Sequence, residues 1–141
     1  QPWAKYREQI THIEIGKEVT HLGTYAFAYS YNVKSVTFEE GSKLQSIGSF
    51  AIFYMYRNLT ELVLPESVTN IGKYAFYHCG ILKSINLPNS LSYIGDYAFE
   101  LCWILQSIKI PNSVTSMGAN PFLDCEHLWQ ILVSPDHPSL L

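Results

Sequence analysis

Apolar and polar positions along this chain keep step with one another over a fixed distance. Leu59, Leu82 and Leu105 open three stretches of 23 residues that superimpose without a gap: LTELVLPESVTNIGKYAFYHCGI, LKSINLPNSLSYIGDYAFELCWI and LQSIKIPNSVTSMGANPFLDCEH. Ile10 to Asn32 follows the same template. Val33 to Asn58 does so with two extra residues near Gly41-Ser42 and one more after Ile52. LWQILVS, from Leu128, opens a sixth unit that is not completed. A repeat of this period is the mark of a solenoid, in which each unit buries its apolar face only against its neighbours.

Within a unit the pattern is specific enough to predict elements. Each begins L-x-x-I-x-I, as in Leu59/Leu62/Leu64 and Leu82/Ile85/Leu87. The last two apolar positions alternate with a variable residue, the period of a half-buried strand. One such strand per coil predicts a parallel sheet along one face. Pro65, Pro88 and Pro111 follow at once and end the strand, since proline cannot donate to a ladder. Next come Val68/Leu91/Val114 and Ile71/Ile94/Met117, predicted to point inward. A glycine column (Gly23, Gly48, Gly72, Gly95, Gly118) predicts a corner with positive φ or a close backbone approach. The x-Y-A-F segment after it predicts a short helical turn, with Phe27, Ile52, Phe76, Phe99 and Phe122 filling the coil centre. Residues 1–9, with Pro2-Trp3, read as an N-terminal cap, and 10–133 as the solenoid. Residues 134–141 read as a truncated tail in which Pro135 and Pro138 stop strand pairing but cover little.

Composition narrows the function classes. With 141 residues and 48% hydrophobic content the chain makes one domain with a core. A net charge of −3 leaves no basic stripe for nucleic acid. No apolar run approaches the length of about 18 residues that marks a membrane-spanning helix. The start at Gln1, without a signal segment, is expected of a processed form or a fragment, and the unfinished sixth unit favours a fragment. Cys79, Cys102 and Cys125 stand one period apart in a single column, where the first unit has Ser30. They read as small buried hydrophobes; a bridge between adjacent coils is within reach but not expected. One thiol per coil does not converge on a metal.

These residues resemble a known family. LxxIxIPxSVTxIGxxAFxxC is similar to the repeat of BspA-like leucine-rich repeat proteins, matched nearly position by position by Leu59–Cys79 and Leu82–Cys102. FEEGSKLQSIG, from Phe38 to Gly48, looks like the longer variant of that repeat. The resemblance covers roughly Ile10 to Val133. It implies an α/β leucine-rich-repeat solenoid that is β-dominated and right-handed, with a parallel sheet on one face and short strands and helical turns on the other. It also implies display at the cell surface or secretion, and adhesion to host-matrix, cell-surface or microbial proteins. Asn120-Pro121 departs from the Tyr-Ala of the pattern and is expected to distort that turn, as is an extra residue among Phe53–Tyr56.

Catalytic chemistry finds little support. The five histidines share no column in adjacent coils and have no metal-pair spacing. His12 and Glu14 share a strand face near Ser35 and Thr37, but no elbow motif or oxyanion hole accompanies them. Each glycine stands alone, so there is no phosphate loop. No enzyme activity and no cofactor are expected.

Two surfaces are candidates for binding a protein. On the strand face the variable positions are His12, Glu14, Thr37, Glu61, Val63, Asn86 and Lys109, with Ser35, Ser84, Ser107, Gln130 and Leu132 beside them. They do not repeat as the core columns do, which leaves them free to serve recognition; the plain alternative is a solvated sheet face. The second candidate is an aromatic edge after the Ala-Phe segment: Tyr29, Tyr54, Tyr56, Tyr77 and Trp103, with Tyr31 and Phe53. Aromatics are enriched at interfaces, though rings also shield coil edges. The expected role is a non-enzymatic protein-binding module. A structural spacer is the alternative, and a hydrolase built across coils a distant third.

Overall fold

A computed structural model of the protein describes residues 1–138. Each repeat contributes two short strands, and the coils stack about five deep into a β-solenoid. One row consists of β1 (His12–Ile15), β3 (Ser35–Phe38), β5 (Glu61–Val63), β7 (Ser84–Asn86), β9 (Ser107–Ile110) and β11 (Gln130–Val133). The other consists of β2 (His21–Leu22), β4 (Ser46–Ile47), β6 (Asn70–Ile71), β8 (Tyr93–Ile94) and β10 (Ser116–Met117). All pairings are parallel. The short strands form one continuous five-stranded sheet, whereas the longer ones pair as β1–β3, β5–β7 and β9–β11. Strand β5 lies beside β3, and β9 beside β7, without a regular ladder.

The predicted columns form the core. Ile13 stands opposite Val36, Leu62 opposite Ile85, and Ile108 opposite Ile131, and all but Ile131 are buried. The inward positions Val68, Leu91 and Val114, with Ile71 and Ile94, are fully buried, and Met117 is partly so. Phe76 and Phe99 stack with centroids 5.1 Å apart and planes 4° apart, and Phe122 continues the stack at 5.6 Å. At the other end Trp3 stacks on Phe27 at 5.4 Å and donates its indole N–H to the Ala26 carbonyl. Such ring pairs contribute about 1 kcal/mol each beyond area burial.

The glycine column is explained by close approach, not by positive φ. A Cβ on Gly72 would lie 2.9 Å from the Ile47 carbonyl oxygen, and one on Gly95 would lie 2.6 Å from the Lys73 nitrogen. A Cβ on Gly23 meets nothing within 4 Å. The left-handed backbone falls instead two and six residues after each glycine: Tyr25 and Tyr29, Phe50 and Tyr54, Tyr74 and His78, Tyr97 and Leu101, Asn120 and Asp124, all with φ between 45° and 66°.

This backbone corrects the expected helical turns, and with them the α/β class. Among the described residues the only helix is the 3-10 turn Ala4–Tyr6, so the fold is a β-solenoid with turns. In the segment after each glycine, alternate N–H groups point to different coils. Tyr74, Phe76 and His78 donate to Asp96, Ala98 and Glu100 of the next coil, while Ala75, Tyr77 and Cys79 donate to Gly72, Tyr74 and Phe76 of their own. The same three inter-coil bonds occur at every junction from Tyr25–Ser49 to Leu101–Leu123. A left-handed residue costs roughly 1–2 kcal/mol, and a buried hydrogen bond returns about 1 kcal/mol net while leaving it unmade costs more. The two left-handed residues in each coil are therefore offset by three bonds to the next. Pro121 has no N–H to close the local turn, yet its carbonyl still accepts from Phe99 and Phe122 keeps its place.

Two further expectations are adjusted. Tyr54 keeps its ladder bond to Tyr77 and Met55 fills the cysteine column, fully buried, so the extra residue of the second coil falls later, among Tyr56–Asn58. The tail also covers more than expected: a turn closed by the His137 N–H to the Ser134 carbonyl buries the His137 ring, whose Nε2 lies 3.2 Å from the Pro111 carbonyl oxygen. Residues 139–141 of the expected tail lie outside the described residues.

Candidate functional site

Period-two alternation makes the strand face. With Ile13, Leu62, Ile85 and Ile108 inward, the residues on either side of each must point out. His12, Glu14, Thr37, Glu61, Val63, Asn86 and Lys109 are all exposed, Val63 at 64%. Register sets Glu14 opposite Thr37, Val63 opposite Asn86 and Lys109 opposite Leu132. The carboxylates Glu14 and Glu61 lie on the first and third strands of the row and Lys109 on the fifth. A groove of about 620 Å³ opens between β3 and β5, where the ladder is interrupted, and brings together Thr37, Glu61 and Val63 with the loop residues Glu39, Glu40 and Glu66. It lies where the coil carrying the Gly41-Ser42 insertion meets the next, regular coil.

The strand face shows no assembled catalytic group. The His12 ring bonds Thr11 Oγ1 at 2.9 Å, rather than Glu14 or the Ser35 opposite it. Among the described residues no three His, Cys, Asp or Glu side chains converge on a metal position. The three cysteines are free, and each thiol donates to a carbonyl of the preceding coil: Cys79 to Ile52, Cys102 to Phe76, Cys125 to Phe99. Burial pushes the Cys79 thiol up to about 12 and Cys125 up to about 11, with Cys102 well above its ordinary range. Burial and a raised pKa disfavour the reactive thiolate, most at Cys79 and Cys102 and least at Cys125.

The aromatic edge is real but internally engaged. Phe53 is buried, and Tyr29, Tyr54, Tyr56 and Tyr77 are half-buried against one another. Trp103 lies flat over Gly80, where a Cβ would meet its ring at 2.8 Å. Its ring also meets His78, 4.6 Å away and edge-on. His78 also meets Tyr54 at 4.2 Å and Tyr56 at 5.3 Å, and burial holds its pKa below the usual histidine range. Burial, and then the charge of Glu100, raises the Tyr77 phenol.

Several residues here were not singled out from the sequence. Tyr25, Phe50, Tyr74 and Tyr97 form a stack of rings 4.9–5.1 Å apart, and the Y of the Y-A-F pattern was its signal. Arg7 stands over Tyr29, and Arg57 over both Tyr31 and Tyr56. No sequence signal announced the arginines, which belong to the N-terminal segment and the irregular second coil.

Parallel coils with an inward leucine or isoleucine column and a variable strand face define a leucine-rich-repeat solenoid. The BspA type leucine rich repeat region matches residues 4–128 in six copies, and the chain belongs to that family. A leucine-rich repeat protein from Bacteroides ovatus is similar in structure, with a TM-score of 0.65 at 24% identity, over 92% of this chain and 39% of its own. One from Eubacterium ventriosum aligns with a TM-score of 0.58 at 23% identity, over 88% and 36%. The pneumococcal vaccine antigen PcpA aligns with a TM-score of 0.55 at 21% identity, over 89% and 40%. This chain therefore spans about two fifths of the length of these structures, and the likeness is one of fold. No curated protein matches it.

Proposed function

We propose that the chain is a non-enzymatic protein-binding module of a surface-displayed or secreted protein, that its task is adhesion to host or microbial surface proteins, and that the partner docks on the strand face. The observation that carries this reading is the contrast between fixed core columns and seven exposed strand positions of unrelated chemistry, three of them gathered in one groove. Leucine-rich repeats of this family support protein binding in general. The name of PcpA, a vaccine antigen, supports exposure at a surface.

The size of the face bears on what the partner touches. Six strands about 4.8 Å apart make a row roughly 24 Å long, and four residues make it roughly 13 Å wide. That footprint is smaller than the ~800 Å² a standard interface takes from each side. The partner must reach the flanking loops as well, and Glu39–Ser42 and Pro65–Ser67, which line the groove, are the loops in place. The test is a screen against matrix and cell-surface proteins, followed by Glu61→Lys and Lys109→Glu. The reading predicts a partner whose affinity falls in both variants with the melting temperature unchanged. A broad screen without any partner would favour a spacer role.

A further inference from the structure

The chain has two arginines, and the fold brings both to one corner. Arg7 comes from the N-terminal segment and Arg57 from the extra residues of the second coil, 50 positions apart in sequence. Their guanidinium carbons lie 5.5 Å from the Tyr29 ring centre and 5.3 Å from the Tyr31 ring centre, and these two rings are 6.1 Å apart. Arg57 also lies 5.4 Å from Tyr56. Among the described residues neither arginine pairs with a carboxylate; the one ion pair is Lys43–Glu18. Arg7 donates one N–H to Gln1, and its Nε is buried with no partner. Beside Arg7 a cavity of about 530 Å³ has Lys5, Glu8, Tyr29 and Tyr31 among its lining residues; Arg57 is outside the lining and meets it through Tyr31.

A guanidinium held against a ring by a cation–π contact can still offer in-plane N–H groups to a carboxylate or sulfate. Arg57, exposed and making no hydrogen bond or ion pair among the described residues, has its fork open where Arg7 has part of its own committed to Gln1. The tyrosines follow the coil spacing, with Tyr29–Tyr54 at 5.6 Å tilted by 40° and Tyr31–Tyr56 at 5.7 Å nearly edge-on, so each can meet the apolar C–H groups of a sugar ring singly rather than as a flat row. The main-chain N–H groups of Tyr29 and Tyr54 are spent on the next coil, so these two residues offer no ladder to an extended peptide. We propose that this corner binds the carboxylate- or sulfate-bearing sugar units of an acidic polysaccharide, a site separate from the strand face.

The test is calorimetric titration of the whole chain with four probes: a hyaluronan hexasaccharide carrying carboxylates only, a heparin-derived hexasaccharide carrying sulfates as well, neutral maltohexaose, and hexaglutamate. Binding of at least one acidic hexasaccharide and none of maltohexaose is expected, and the first two probes separate carboxylate from sulfate recognition. Arg57→Gln should weaken that binding about tenfold, the usual effect of losing a charged hydrogen bond. Arg57→Lys, which keeps the charge but not the fork, should fall between, and Glu61→Lys should leave it unchanged. Arg57 is exposed, so these variants should melt as the parent does; Tyr31→Leu is the second, ring-directed loss. Failure of both acidic sugars to bind, tighter binding of hexaglutamate, or an Arg57→Gln affinity equal to the parent's would each overturn the proposal. None of these results depends on whether a protein docks on the strand face.

Discussion

Ile108 and Ile131 stand opposite each other in register and hold the same place in the repeat, yet Ile108 is 2% exposed and Ile131 48%. The middle and terminal coils differ in this way at several columns. Phe76 and Phe99 are fully buried between rings or coils on both sides, while Phe27 and Phe122 are half-buried. Gly72 and Gly95 press against the preceding coil, while Gly23 faces open space. Cys79 and Cys102 are buried, and Cys125 only partly. A repeat residue is worth what its two neighbouring coils make of it, as expected of a fold whose stability lies in nearest-neighbour interfaces.

Paired substitutions in one column can break that contrast. Phe76→Ala should cost about 3–5 kcal/mol, the range for buried phenylalanine truncations. Phe122→Ala should cost clearly less, since its outer face has no coil against it; equal losses in thermal or urea unfolding would contradict the account. Gly95→Ala should cost about 1–3 kcal/mol, because the methyl meets backbone that cannot move aside cheaply. Gly23→Ala, with nothing in its way, should stay within about 0.5 kcal/mol. Matched losses at these two glycines would mean that the column serves backbone conformation after all.

The thiols give a gentler version of the same comparison. Denatured protein should react with three equivalents of a thiol reagent. In the native state Cys125 should react first, being less buried and having the lower of the raised pKa values, while Cys79 and Cys102 stay protected. Only one reactive thiol after denaturation without reductant would show a bridge between the other two.

The coil number, the strand row, the inward columns and the exposed strand positions were all legible in the sequence, because side-chain alternation is local and the repeat states it several times over. The turn segments were not. Tyr, Phe and Leu disfavour left-handed backbone on their own, and at Tyr74 or Leu101 it is the bonds to the next coil that impose it. Periodicity reported that Tyr and Ala-Phe recur there, and a helical turn was the local reading of that pattern. The slip of the extra residue from Phe53–Tyr56 to Tyr56–Asn58 has a similar origin, since burial of Met55 decides which residue keeps the column. The groove between β3 and β5 depends on an interrupted ladder, which no single coil encodes.

The strand face is read as the protein-binding surface, and Tyr54 and Tyr77 as rings that hold neighbouring coils together, so two variant sets separate the roles. Glu61→Lys with Lys109→Glu alters the face, and Tyr54→Ala with Tyr77→Ala alters the edge. The most direct measurement is affinity for a partner found by the screen, taken with the melting temperature of both sets. The account predicts that the face variants lose affinity and melt as the parent does, while the edge variants keep affinity and melt lower. Loss of binding in the tyrosine set alone would contradict it and move the protein-binding site to the edge.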